Sequence, residues 1–129
     1  MKSRRILIID DDAELVGVLK TVLESQGYEV EWALDSDEGI RKARGTRPDL
    51  VLLDMMMRTI SEGVTVAQEI KNDPKLSGVP IIMMTAVSQV TGFSFSPEAD
   101  RDYLPIDSLL EKPVDPQTLL REIKAALGD

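Results

Sequence analysis

Short apolar runs alternate with helical periodicity from one end of the chain to the other. Ile6-Leu7-Ile8-Ile9 is apolar on both faces, as a strand covered on both sides must be. Behind it Leu15, Val18/Leu19 and Val22/Leu23 recur at helical spacing, and Gly27 falls where that helix would stop. Tyr28 to Ala33 alternates as a second strand, which puts Val30 and Trp32 on one face. Asp35 or Ser36 is placed to cap a short helix running through about Arg44. Leu50-Val51-Leu52-Leu53 reads as a third buried strand, and Val66, Ala67 and Ile70 mark a helix that fades by Asn72-Asp73-Pro74. Val79 to Met84 is a fourth strand and Leu109-Leu110 a short fifth. Asp115 then caps a last helix with Pro116 in its first turn, and Leu119, Leu120, Ile123 and Leu127 form its apolar face.

This alternation specifies an α/β fold: a parallel sheet with right-handed crossovers and helices on both faces. In such open sheets the ligand site lies at the carboxyl ends of the strands, so function is decided by what those ends carry.

Composition narrows the options. The 129 residues suit one domain, expected to span 1–129 with no output domain after it. Cys and His are both absent, which excludes disulfides, thiol nucleophiles, imidazole bases and Cys/His zinc sites. Fifteen basic against 23 acidic side chains leave a formal charge of −8, which argues against direct nucleic-acid or anionic-membrane binding. The apolar run after Arg4-Arg5 is too short for a signal segment, and no stretch approaches the ~20 apolar residues of a membrane helix. The expectation is a soluble, cytoplasmic protein without membrane insertion.

The strand ends carry Asp10-Asp11-Asp12, Asp54, Thr85 and Lys112-Pro113. Taken singly, Asp12 reads best as a helix cap, Thr85 as a turn hydroxyl and Lys112 as a solvated loop residue. Asp54 differs, because a carboxylate ending a fully apolar strand wants a reason. Met55-Met56-Met57 after it reads as packing, since no other soft ligand joins it. Jointly, carboxylates gathered at one sheet edge repel, which a hard cation held by oxygen ligands would relieve: Mg²⁺, with Mn²⁺ as the alternative. A metal, a lysine, a hydroxyl and an attacking carboxylate together make a phosphoryl-transfer set.

Ile8-Ile9-Asp10-Asp11-Asp12, Leu52-Leu53-Asp54, Met84-Thr85-Ala86 and Glu111-Lys112-Pro113 resemble, in order, the signatures of two-component response-regulator receiver domains. The resemblance implies a flavodoxin-like, five-stranded parallel sheet in the order 2-1-3-4-5. It matches Asp54 to the aspartate that accepts a phosphoryl group from a histidine kinase or histidine phosphotransfer protein. Asp11 matches the direct Mg²⁺ ligand, Asp10 a ligand acting through water, and the Met56 backbone carbonyl a further ligand. Thr85 matches the hydroxyl that moves to the phosphoryl group and Lys112 the lysine that pairs with it, before a cis bond to Pro113. The implied result is a change in binding to a downstream protein that the sequence leaves unidentified.

The sequence also departs from the family. Arg58 stands where Pro follows the acceptor strand, and Gly63 comes one residue later than usual, so this loop is longer. Leu109 occupies the place of the aromatic switch residue. The segment from Val87 to Asp107 is long and holds Phe93, Phe95 and Tyr103, three of the chain's five aromatics. It reads as a loop that buries its own aromatics, and alternatively as the signalling surface. Apolar Met56 and Val87, flanking the site by analogy, suggest slow loss of the phosphoryl group. Two other functions compete. One is a receiver-like scaffold that binds partners without phosphorylation. The other is a haloacid-dehalogenase-type phosphatase with Asp10 as nucleophile, weakened by Glu14 where Thr or Val is usual.

Overall fold

Burial on both faces decides which apolar runs become central strands. The computed structural model describes residues 3–55, 57–86 and 105–129. Over these the elements run β1 (Arg5–Ile9), α1 (Ala13–Ser25), β2 (Glu29–Ala33), α2 (Ser36–Thr46), β3 (Leu50–Asp54), α3 (Ile60–Asn72), β4 (Ile81–Thr85), β5 (Ser108–Glu111) and α4 (Pro116–Leu127). All strand pairings are parallel, and the sheet order is β2-β1-β3-β4-β5. This is the doubly wound order expected from the sequence. The connection from β1 goes to one side and that from β2 crosses back to β3, so a crevice opens above β1 and β3.

The period of two along each strand divides the core. Leu7, Ile9, Val51, Leu53, Ile81 and Met83 point to one face, where Ala43 of α2 and Val64, Ala67 and Ile70 of α3 cover them. Ile6, Ile8, Leu50, Leu52, Ile82 and Met84 point to the other, under Val16, Leu19 and Leu23 of α1 and Leu119 and Ile123 of α4. Every residue of β3 and β4 is buried. Truncating any of these leucines or isoleucines to Ala would cost about 2–5 kcal/mol.

Caps place the helices at the strand ends. The Asp12 carboxylate accepts from the Glu14 and Leu15 backbone N–H groups, each at 3.1 Å, and so starts α1 as the cap that the sequence suggests. Gly27 ends that helix at φ +89°, with its own N–H donating to the Glu24 carbonyl and that of Tyr28 to the Leu23 carbonyl. Asp35 caps α2, and Asp115 caps α4 with Pro116 in its first turn.

Two details differ from expectation. On α1 the buried positions are Val16, Leu19 and Leu23, whereas Val18 is 55% exposed. Apolar residues at 15, 16, 18, 19, 22 and 23 cover more arc than the sheet can bury, and the helix rolls Val16 inward. Strand β4 begins at Ile81 instead of Val79, because Pro80 has no N–H to give and the Val79 N–H turns back to the Leu76 carbonyl. On edge strand β2, Trp32 stays 39% exposed, flanked by the ammonium groups of Lys20 and Lys42 at 4.6 and 5.5 Å from its ring centroid. Met56 and the stretch 87–104, with Val87, Phe93, Phe95 and Tyr103, lie outside the described residues.

Candidate functional site

The backbone ladder carries the chemistry to one edge. The Asp10 N–H donates to the Ala33 carbonyl at 3.1 Å, the Met55 N–H to the Met84 carbonyl at 2.8 Å and the Lys112 N–H to the Thr85 carbonyl at 2.7 Å. Pairing thus continues one residue past the ends of β1, β3 and β5, so the first side chains of the following loops are fixed as firmly as strand residues. Asp10, Asp54 and Thr85 are almost fully buried, at 0%, 3% and 4% exposure. Asp11 is exposed.

The residues picked from the sequence come together here. Asp10, Asp11 and Asp54 each present a carboxylate oxygen, all within 4.8 Å of one another. Lys112 Nζ donates to Asp10 Oδ2 at 3.0 Å and to Asp54 Oδ1 at 3.3 Å. The other Asp10 oxygen accepts from the Asp12 backbone N–H at 2.9 Å. Thr85 ends β4 one register step beyond the Asp54–Met84 pair, and its carbonyl is bound to Lys112. The Lys112–Pro113 bond is cis.

The electrostatics are lopsided. Burial is the largest influence on Lys112 and pushes its pKa down, but the hydrogen bond and charge of Asp10, then those of Asp54, outweigh it. The net direction is upward from the ordinary 10.5, so Lys112 is an ammonium at neutral pH. Among the described residues, one ammonium faces three carboxylates. The excess negative charge, the oxygen-only donors and their spacing fit a hard divalent cation.

The loop after Asp54 is where sequence reasoning missed most. Thr59 caps α3 by accepting from the Glu62 N–H at 3.3 Å, and Glu62 Oε2 accepts from the Arg58 backbone N–H at 3.3 Å. Glu62 Oε1 also takes the Arg58 guanidinium at 3.3 Å and the Ser36 hydroxyl from the first turn of α2. Hydrogen bonding from Ser36, then from Arg58, holds the Glu62 carboxyl below its ordinary 4.5. Thr59-x-x-Glu62 is a capping-box spacing, so half of this arrangement could have been found. Gly63 follows at once. A Cβ there would lie 2.2 Å from the Met55 carbonyl oxygen and 2.8 Å from that of Asp54. The late glycine is therefore the point where α3 presses on the backbone at the end of β3.

A doubly wound sheet with buried carboxylates and a lysine at its switch point defines a class of phospho-accepting signalling domains. The family described as the response regulator receiver domain matches residues 6–124, and the chain belongs to it. It is 36% identical over 125 residues to the DNA-binding dual master transcriptional regulator RpaA of Synechocystis, covering 95% of this chain and 48% of that protein. The chain thus spans about half the length of such relatives. Among solved structures, a CheY-like receiver domain protein from Methanospirillum hungatei superposes with a TM-score of 0.83 at 31% identity, covering 98% of this chain and 95% of that one. The receiver domain of the sensor histidine kinase PA1611 from Pseudomonas aeruginosa, which has a magnesium ion coordinated in its active-site cleft, gives 0.81 at 26% identity, covering 99% and 100%.

Proposed function

We propose that Asp54 is the phosphoryl acceptor of this domain, and that its phosphorylation changes which downstream protein the domain binds. The observation that carries this is the Asp54 carboxylate, buried at the end of β3, within 4.8 Å of the Asp10 and Asp11 oxygens and 3.3 Å from an ammonium. In the step, an Asp54 carboxylate oxygen attacks phosphorus in line and the bond to the donor breaks. That bond is P–N for a phosphohistidine and P–O for acetyl phosphate, and its electron pair leaves with the donor. The product is an acyl phosphate, which water later cleaves. The domain catalyses its own phosphorylation and dephosphorylation, yet its output is a conformational state, so it acts as a signalling module and not as an enzyme on a released substrate.

Asp10, Asp11 and Asp54, with the Met56 carbonyl as the family suggests, would hold Mg²⁺ or Mn²⁺. When bound, the ion neutralises phosphoryl oxygens and lowers repulsion among the carboxylates. Lys112 supplies the protein's own positive charge beside the acceptor, and Thr85 the hydroxyl that contacts the phosphoryl group. The donor is a histidine kinase or histidine phosphotransfer protein. It docks beside α1, the helix that starts at the acid cluster and exposes Val18. The family match over residues 6–124 weighs against the phosphatase alternative. Among the described residues no helix is long and apolar enough to cross a membrane, in keeping with a cytoplasmic setting.

Incubation with acetyl phosphate and Mg²⁺ should add one phosphoryl group by intact mass, and Asp54→Asn should abolish it. Retention of the adduct in that variant would refute the assignment.

A further inference from the structure

Beyond the residues that face the acceptor, one side chain ties together the three segments that surround it. Glu62 sits in the first turn of α3, yet it holds the Ser36 hydroxyl of α2 and both the backbone N–H and the guanidinium of Arg58. Its side chain is 15% exposed, although that of Arg58 is 78% exposed, so Glu62 is enclosed by the elements it joins. The next residue, Gly63, is in backbone contact with Asp54 and Met55. A displacement of the α3 start therefore passes directly to the acceptor strand. The Arg58 N–H belongs to the loop that in this chain lacks the stiffening Pro. Glu62 fills the need that Pro meets by conformation, using hydrogen bonds instead.

We infer that Glu62 is a positioning residue for cation binding and phosphoryl acceptance: it fixes the loop after Asp54 by clamping Arg58 to Ser36. This rests on the receiver reading above. Two variants separate clamping from simple charge. Glu62→Gln and Glu62→Ala remove the same negative charge, so any long-range electrostatic weakening of a cation is common to both. Glu62→Gln keeps one carbonyl oxygen for the Arg58 N–H and an amide N–H that can donate to the Ser36 hydroxyl oxygen, so both tethers can be remade, whereas Glu62→Ala keeps neither. Ser36→Ala removes one tether with no change of charge.

The experiment uses the full chain and Mn²⁺, with the free ion followed by its electron paramagnetic resonance signal. Alongside it, amide hydrogen exchange is read across residues 57–61 without metal. Glu62→Ala should weaken Mn²⁺ binding by about tenfold. Glu62→Gln should weaken it by about twofold at most, with Ser36→Ala between the two. Exchange in the loop should rise by about tenfold in Glu62→Ala, with the amides of β1 and β3 unchanged. Equal Mn²⁺ affinity in Glu62→Ala and Glu62→Gln would overturn the inference, as would unaltered loop exchange. Should Glu62→Ala not fold, Ser36→Ala against wild type carries the same comparison. Failure of the wild-type chain to bind Mn²⁺ or take a phosphoryl group would refute the receiver reading instead, and the metal-free exchange data would still report on the clamp.

Discussion

Replacing Gly63 by Ala tests whether α3 bears directly on the acceptor strand. The added Cβ would sit 2.2 Å from the Met55 carbonyl oxygen and 2.8 Å from that of Asp54, whereas ordinary contact begins near 3.4 Å. Neither oxygen can swing aside as a side chain would. Met55 is held by its N–H bond to the Met84 carbonyl, and Asp54 is a residue of a fully buried strand. Relief of the overlap therefore requires α3 to retreat by roughly an ångström, which opens the packing of Val64, Ala67 and Ile70 on the sheet. Overpacking of this kind costs about 2–3 kcal/mol. In a chain of this size about 1 kcal/mol moves Tm by roughly 4 °C, so the melting temperature should fall by about 8–12 °C. The same substitution at Gly17, on the exposed side of α1 with no atom within 4 Å of the new Cβ, should instead stabilise. The gain is about 0.5–1 kcal/mol from helix propensity alone. Thermal unfolding of both variants, with acetyl phosphate uptake by intact mass, reads the contrast. Phosphoryl acceptance should slow in Gly63→Ala and stay unchanged in Gly17→Ala. A Gly63→Ala protein that melts with wild type and takes phosphate at the same rate would refute the proposed contact.

Lys112→Ala should remove the ammonium that the buried Asp10 and Asp54 carboxylates share, lowering stability by about 2–3 kcal/mol after allowance for the lysine's partial exposure. Mg²⁺ should then raise Tm more in the variant than in wild type, and an equal or smaller rise would count against the charge imbalance. Val18→Asp should leave stability within about 0.5 kcal/mol of wild type, since the side chain is largely exposed. It should slow phosphotransfer from a histidine-phosphorylated donor by about tenfold without touching acetyl phosphate uptake; a parallel loss of both would remove α1 from the docking surface. Glu62 has a folded pKa below 4.5, so the stability it adds is fully present above that value and fades as pH falls through the folded pKa. The Tm gap between wild type and Glu62→Gln should therefore be steady near neutrality and close below about pH 4.5; a gap that widens in acid would contradict a stabilising role for the ionised carboxylate.

Most of the fold was legible because the central strands are apolar on both faces, a pattern that few other elements can produce. The acid cluster was legible for a related reason. Asp10 and Asp54 each break an apolar run at its carboxyl end, and the alternation of elements then places them side by side. What resisted reading was anything decided across the sequence. Whether Val16 or Val18 turns inward depends on how α1 rolls on the sheet, which the spacing of six apolar residues leaves open. Thr59-x-x-Glu62 announces a cap, but the Ser36 hydroxyl that completes the clamp comes from 26 residues earlier. Trp32 shares a face with Val30, yet only the position of β2 at the sheet edge explains why two lysines and not a helix cover it.

The same geometry accounts for why this site can act as a switch at all. Three carboxylates and one ammonium, two of the carboxylates buried, form a set whose charge is unbalanced as it stands. Such a set is stabilised by whatever brings positive charge, and under the proposed role of Asp54 it would be disturbed by the negative charge of a phosphoryl group. Lys112 is shared between Asp10 and Asp54, so a change at one acid alters the hold on the other. The lysine follows β5, Asp10 follows β1 and Asp54 ends β3, with the β3–α3 loop fastened to α2 through Glu62. A local change of charge therefore reaches several strand ends and two helix starts in a single step. Leu109 pairs with Met83 and packs on the α3 side of the core. Under the proposed role of Asp54, Glu62 and Gly63 would carry a change at the loop to the start of α3.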